Sequence, residues 1–280
     1  RNRPVRLALE EMNQPLKAIE ELKIAISIKP GYFNVLYFTL GEIEMDEALY
    51  PDAKTHLEDY LKGAKTDPYL VVLAKKYISN CNFAIEAMKH PVSFAPQNLG
   101  EAINTKDAEY FATITADGKT FYFTRRLTDK KQMMGFQEDI YVSKNIDGKW
   151  TKAESVGDML NTSANEGAVS IAPDGQILFF VASENEDGYG QNRKGYGSCD
   201  IFFSRKIGEK FSAPKNLSKL INTKHWETQP SFSSDGKTLY FIRGIVTREG
   251  INQQDIWTST IDSTGAFGKP LKLSNKINTD

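Results

Sequence analysis

The sequence predicts a chain in two parts, a helical-repeat domain over residues 1–90 and an all-β domain over 91–280. Three observations predict it. Apolar residues recur at helical spacing in the first part, as at Leu16, Ile19, Leu22 and Ile26. Short alternating runs rich in Phe and Tyr fill the second, separated by Asp-Gly, Asn-Thr and Gly-rich loops. Each part also repeats itself, at its own period. His90-Pro91 marks the boundary, because a residue before proline is pushed out of the helical region.

Composition sets the outer limits. The 280 residues leave room for about two domains at roughly 100–200 residues each. Apolar residues make up 40% and charged residues 25%, as in folded globular chains. A formal net charge of −1 lacks the basic footprint of a nucleic-acid binder. No apolar run reaches the length of a transmembrane helix. Two cysteines form no disulfide framework. The chain begins at Arg1 with neither an initiator Met nor a leader, and it ends on Asn278-Thr279-Asp280, the opening of a repeat. It therefore reads as a fragment of a longer protein.

In the first part, Pro30-Gly31 and Asp67-Pro68 interrupt the helical pattern where helices should end. Ala18, Leu22, Ala25 and Pro30 fall into a frame of about 34 residues. Tyr37, Leu40, Gly41, Ala53 and Leu57 fall into the next frame. Small residues at Gly41 and Ala53 let two helices of a hairpin approach closely, and larger ones fill the space between hairpins. On these residues the stretch resembles the tetratricopeptide family over about 15–88. Tyr60 departs from it, standing where a small residue is usual, and Pro68 comes late. A helix around Leu73–Met88 would then cap the array. A helical bundle that matches the frame by chance is the alternative.

In the second part, Asn104-Thr105, Asn161-Thr162, Asn222-Thr223 and Asn278-Thr279 recur at intervals of 57, 61 and 56. Thirteen residues after each of the first three Asn stands Asp117-Gly118, Asp174-Gly175 or Asp235-Gly236. The Asp-Gly supplies the positive φ of a tight hairpin turn. A strand such as Phe121-Tyr122-Phe123 follows. Then come a variable loop and Asp139-Ile140, Asp200-Ile201 or Asp255-Ile256. Trp150, Phe211 and Phe267 close the repeats. Four strands per unit, repeated radially, make a β-propeller. Residues 92–104 match the tail of a repeat without its own blade, so they predict a displaced outer strand. Three full units fall short of the four to eight blades of a closed ring, so its completion is expected beyond Asp280.

The pattern resembles TolB-type WD-like propeller repeats, with Pro173-Asp174-Gly175 a full match and Ala116 and Ser234 in place of that Pro. Helical repeats followed by this propeller resemble the OmpA-family envelope lipoproteins of Bacteroidota, including the PorE-like component of the type IX secretion system. That resemblance implies a periplasmic, outer-membrane-associated scaffold that binds other envelope proteins, namely secretion components of the outer membrane. It also implies cell-wall attachment through an OmpA-like domain that is not among these residues. A carbohydrate-binding or hydrolytic propeller and a cytoplasmic adaptor are the alternatives.

Three sets of residues are candidates for function. Glu109, Glu166 and Glu227 each follow the Asn-Thr at one spacing and would stand near a mouth of the channel. There they could gather a cation or an amine, or bond backbone amides as part of each blade's scaffold. Asp139, Asp200 and Asp255 are expected to satisfy loose backbone N–H groups. Arg125, Arg126, Met133, Met134, Phe136, Tyr189, Arg193, Tyr196 and Arg248 lie in the variable insertions at about 125–138, 183–199 and 243–254. Arg and aromatic residues there suit a partner-binding face. Val35, Phe38, Glu42 and Met45 fall near the positions that line a helical-repeat groove. No nucleophile motif, metal-ligand spacing or phosphate loop is visible. The expectation is therefore no enzyme, no cofactor and no metal.

Overall fold

The computed structural model describes residues 14–64, 66–129, 135–186, 188–248 and 250–278. The chain divides into two compact units, up to Pro96 and from Gln97 onward.

The first unit has four helices among the described residues: α1 (Pro15–Ile28), α2 (Val35–Asp46), α3 (Tyr50–Lys62) and α4 (Pro68–Ala87). Ala18, Ile19 and Leu22 of α1 pack on Leu40 and Ile43 of α2. Phe38, Ala53, Leu57, Tyr60, Ala74 and Cys81 form a second core across α2, α3 and α4. Gly41 is needed for that approach, since a Cβ there would meet Leu57 Cγ at 2.6 Å and the Ala53 carbonyl at 3.2 Å. Asp67-Pro68 begins a helix where the sequence suggested an end. Asp67 Oδ1 accepts the Tyr69 and Leu70 amides, and Pro68 occupies the first turn, where no amide hydrogen is needed. The large Tyr60 also has a use, because its hydroxyl accepts the Asp67 amide and ties the loop to the core. Buried Glu44 of α2 meets Lys23 of α1 at 3.0 Å and His56 of α3 at 2.5 Å.

The second unit holds three antiparallel repeats, each of three long strands with one or two short outer ones, and is β-propeller-like; a parallel pairing of Cys199 with Trp226 joins the second repeat to the third. The first has β1 (Ala108–Ile114), β2 (Thr120–Thr128) and β3 (Phe136–Ile146), with the short outer strands β4 (Lys149–Trp150) and β5 (Glu154–Ser155). The second has β6 (Glu166–Ile171), β7 (Ile177–Ser183), β8 (Cys199–Ile207), β9 (Lys210–Phe211) and β10 (Lys215–Asn216). The third has β11 (Trp226–Phe232), β12 (Thr238–Thr247), β13 (Gly250–Thr260) and β14 (Leu271–Lys272). At each Asp-Gly turn only the glycine takes positive φ, at 69°, 69° and 68°. The Asp instead accepts the amide two residues on, as Asp117 does from Lys119.

Repeated side chains join the repeats. The amide and carbonyl of Ile140 both bond the Asn161 side chain at 2.9 Å. Asn222 treats Ile201 in the same way, and Asn278 treats Ile256. Each Asn thus takes the place of an outer-strand backbone for the preceding repeat, which explains why Asn and Asp-Ile recur together. Neighbouring repeats meet where Thr124 Oγ1 accepts the Ala168 amide and Ser170 Oγ accepts the Phe232 amide. The inner strand β6 is buried along its length, whereas β1 and β11 are partly exposed. Residues 91–100 form no strand. The displaced outer strand expected over 92–104 is therefore not seen, and the chain joins the first repeat just after this stretch, through Ala102 carbonyl to Ala153 amide and buried Ile103 against Phe123.

Candidate functional site

The three glutamates are built into a repeated tie. Thr105, Thr162 and Thr223 donate both backbone amide and hydroxyl to Glu109, Glu166 and Glu227. A guanidinium completes each tie. Arg125 Nε reaches Glu109 at 2.9 Å, and Arg243 Nε reaches Glu227 at 2.7 Å. Both arginines stand directly across the hairpin from their glutamate. Their Nη2 atoms donate to the carbonyls of Ile103 and Ile221.

The second repeat has Ala182 at that cross-strand position. Arg193, from the insertion, reaches in instead. It meets Glu166 at 2.9 Å and donates to the Met159 and Leu160 carbonyls. Burial pushes the Glu166 carboxyl up to about 7, although its Thr162 bonds and Arg193 act the other way. The same burial lowers the Arg193 guanidinium. These carboxylates are therefore already neutralised by built-in partners, and a ring that gathers a free cation or amine is not what the structure shows. Of the three aspartates, Asp200 accepts the Tyr196 and Gly197 amides as expected. Asp255 instead pairs with Lys272 at 2.7 Å, and Asp139 accepts from Gln137.

The described residues of the insertions continue the fold. The first and third extend their hairpins, so Arg125, Arg126 and Phe136 lie in strands and β12 and β13 run almost to their turn. The second is folded inward. Tyr189 is buried in the core with Phe202, and its hydroxyl donates to the Gly197 carbonyl. A Cβ on Gly197 would lie 2.0 Å from the His225 carbonyl, so only glycine lets this loop meet the third repeat. Arg125, Tyr189 and Arg193 therefore belong to the fold, contrary to their reading as partner contacts. Arg126 remains half-exposed and pairs with Glu138 at 2.6 Å. Tyr196 and Arg248 are exposed. Met133 and Met134 lie outside the described residues. In the helical unit, Phe38 is a core residue stacked on Tyr77, and Met45 packs against the same core, so neither faces an open groove. Glu42 accepts from the Tyr77 hydroxyl, and Val35 is half-buried.

Sequence reasoning missed a second set of residues, around the inner strands. Each inner strand carries a bulge with a non-glycine residue at positive φ: Phe111 at 51°, Ala168 at 48° and Gln229 at 49°. Such strain of about 1–3 kcal/mol per residue persists only where its surroundings impose it. Beside these bulges opens a cavity of ≈ 290 Å³. Tyr110, Arg126, Glu138, Asn165 and Trp226 line it, at the base of the first two insertions. Arg126 stacks over the Phe136 ring at 4.3 Å, and its guanidinium and the Tyr110 hydroxyl share Glu138 Oε1. Burial and the Glu138 bond push the Tyr110 phenol well above its usual value. Among the described residues no group of His, Cys, Asp and Glu could hold a metal ion, and no helix is long and apolar enough to cross a membrane.

No family model and no curated protein matches the chain. Solved β-propeller proteins do resemble it. A puromycin-hydrolysing peptidase of Mycobacterium tuberculosis is 14% identical with a TM-score of 0.35, covering 60% of this chain and 23% of its own. A thermostable family-43 glycoside hydrolase is 10% identical with a TM-score of 0.35, covering 58% of this chain and 52% of its own. The polysaccharide lyase Uly1 is 12% identical with a TM-score of 0.33, covering 58% and 39%. The chain thus spans well under two thirds of each. These neighbours are named as enzymes, which corrects the expectation that the chain is no enzyme: a missing sequence motif does not exclude activity. At these scores the likeness assigns no activity either.

Proposed function

We propose that the chain is a protein-interaction scaffold of the bacterial cell envelope, with a tetratricopeptide-like arm and a propeller platform that holds outer-membrane secretion components from the periplasmic side. The support for the compartment is the motif resemblance to OmpA-family envelope lipoproteins. The observation that carries the binding role is the third insertion. β12 and β13 stay paired out to Thr247 and Gly250, and they present Val246 and Ile251, each 39% exposed, beside exposed Arg248. An arginine flanked by apolar side chains at the end of a paired hairpin suits an interface anchor, and the sheet core does not need it. Exposed Tyr196, with Lys219 Nζ 5.6 Å from its ring, extends the same kind of surface.

The same reading takes the three repeats as part of a larger ring. Buried β6 lies between neighbours, while β1 and β11 keep partly exposed faces. Asn104 supports it too: unlike Asn161, Asn222 and Asn278, it clamps no strand among the described residues. The test is to replace 245–253 with a short Gly-Ser turn. An unchanged unfolding midpoint with lost co-purification of envelope proteins is expected. Full co-purification would refute the role of this hairpin.

A further inference from the structure

A repeat architecture separates two kinds of position. Residues that every repeat needs recur, as the Asn, Glu and Arg ties do. A position that differs in all three repeats is free of that demand. The residue before the tied glutamate is Ala108, Asn165 or Trp226, and the one after it is Tyr110, Gly167 or Thr228. At the bulge stand Phe111, Ala168 and Gln229. Across from the first set lie Arg126, Ser183 and Gly244. Before the strand aspartate come Glu138, Cys199 and Gln254. Every residue that lines the ≈ 290 Å³ cavity, apart from Val181, belongs to one of these variable sets. The variation is thus gathered in one place.

We infer that this cavity is a binding site for a sugar unit of a neutral glycan. Its walls combine aromatic faces with hydrogen-bonding groups. Tyr110 and Phe111 meet edge to face at 5.1 Å, and Trp226 lines the wall of the third repeat. Gly244 makes room for that indole, since a Cβ there would stand 3.0 Å from Trp226 Cε3. The charges cancel locally, with Arg126 on Glu138, so an ionic ligand finds no uncompensated partner. Yet hydrogen-bonding capacity remains. Glu138 Oε1 takes Tyr110 and Arg126, while Oε2 has no partner among the described residues. Asn165 accepts the Glu138 amide through Oδ1, leaving Nδ2 without a partner among them, and the Gln229 amide has none. A pyranose offers an apolar C–H face for the rings and adjacent hydroxyls that both donate and accept. A peptide strand fits less well, because the bulges break the inner-strand edges on which it would add. A second cavity of ≈ 300 Å³ shares Phe111, Ala168 and Gln229, so the site has room for more than one sugar unit.

Calorimetric titration of the 280-residue protein with maltotriose, cellotriose, xylotriose and chitotriose, and with a tripeptide mixture, tests this. At least one trisaccharide binds with a Kd in the millimolar range or tighter. Trp226→Ala and Gln229→Gly each weaken it about tenfold, equivalent to ~1.4 kcal/mol. Glycine accepts the positive φ at 229, so that variant keeps its fold and decides the matter where Trp226→Ala unfolds. Absence of trisaccharide binding at millimolar concentration overturns the inference. So does binding that the folded Gln229→Gly variant retains in full, or binding of the tripeptides alone.

Discussion

Arg193→Ala isolates the tie that the second repeat has rearranged. The substitution removes the 2.9 Å contact with fully buried Glu166 and the bonds to Met159 and Leu160. Breaking one side of a buried pair costs about 3–5 kcal/mol when the remaining charge stays ionised. Glu166 has a way out, because burial already pushes it up to about 7. Its folded value exceeds the unfolded carboxylate's ~4.3, so the native state binds the extra proton and stability falls as pH rises from ~4.3 through about 7. Removing Arg193 pushes the carboxyl higher still. The variant's deficit is therefore smaller at pH 5, where Glu166 is protonated either way and the loss is that of the Met159 and Leu160 bonds, and about 3 kcal/mol at pH 8. That lowers the midpoint by roughly 6–12 °C for a domain of this size. All three tryptophans, Trp150, Trp226 and Trp257, lie in the β unit, so their fluorescence reports its unfolding apart from the helices. Adding Ala182→Arg restores the cross-strand arrangement of the other repeats and recovers most of the loss. A wild-type midpoint for Arg193→Ala at pH 8, or an equal deficit at both pH values, would refute the reasoning.

Three further outcomes follow from the packing. Asn222→Ala leaves the buried amide and carbonyl of Ile201 without their partner and costs about 2–4 kcal/mol, read by denaturant unfolding of the tryptophan signal. Gly41→Val drives a side chain into Leu57 and destabilises the helical unit by about 1–3 kcal/mol, seen as earlier loss of ellipticity at unchanged tryptophan unfolding. Tyr60→Phe removes the hydroxyl that accepts the Asp67 amide and costs about 0.5–1.5 kcal/mol on the same helical transition, while its ring packing is kept.

The β repeats were legible because their ties recur three times in the same register. Asn161, Asn222 and Asn278 each hold an Ile that the sequence also repeats. The Arg193 tie was not legible, since its guanidinium comes from a loop and reaches a glutamate 27 residues earlier. A pattern read at fixed spacing finds Ala182 there and stops. The third insertion misled in another way. Its Thr, Asn and Gln residues look like loop, yet β12 and β13 pair through them with a bulge near Gly244. Asp67-Pro68 was ambiguous because such a dipeptide suits either the stop of one helix or the cap of the next; α3 already stops at Lys62, and the dipeptide caps α4. The cavity was invisible for the opposite reason to the ties: its residues share no motif, and only the fold brings Tyr110, Asn165 and Trp226 to one wall.

The scaffold role rests on what the hairpin around Arg248 touches in the cell. A photo-crosslinking residue placed at 248 in the full protein, with a control at exposed Lys62 of α3, reads this directly. The account predicts an adduct from 248 that mass spectrometry identifies as an outer-membrane protein, absent from 62. No adduct from 248, or adducts with cytosolic proteins alone, would contradict it.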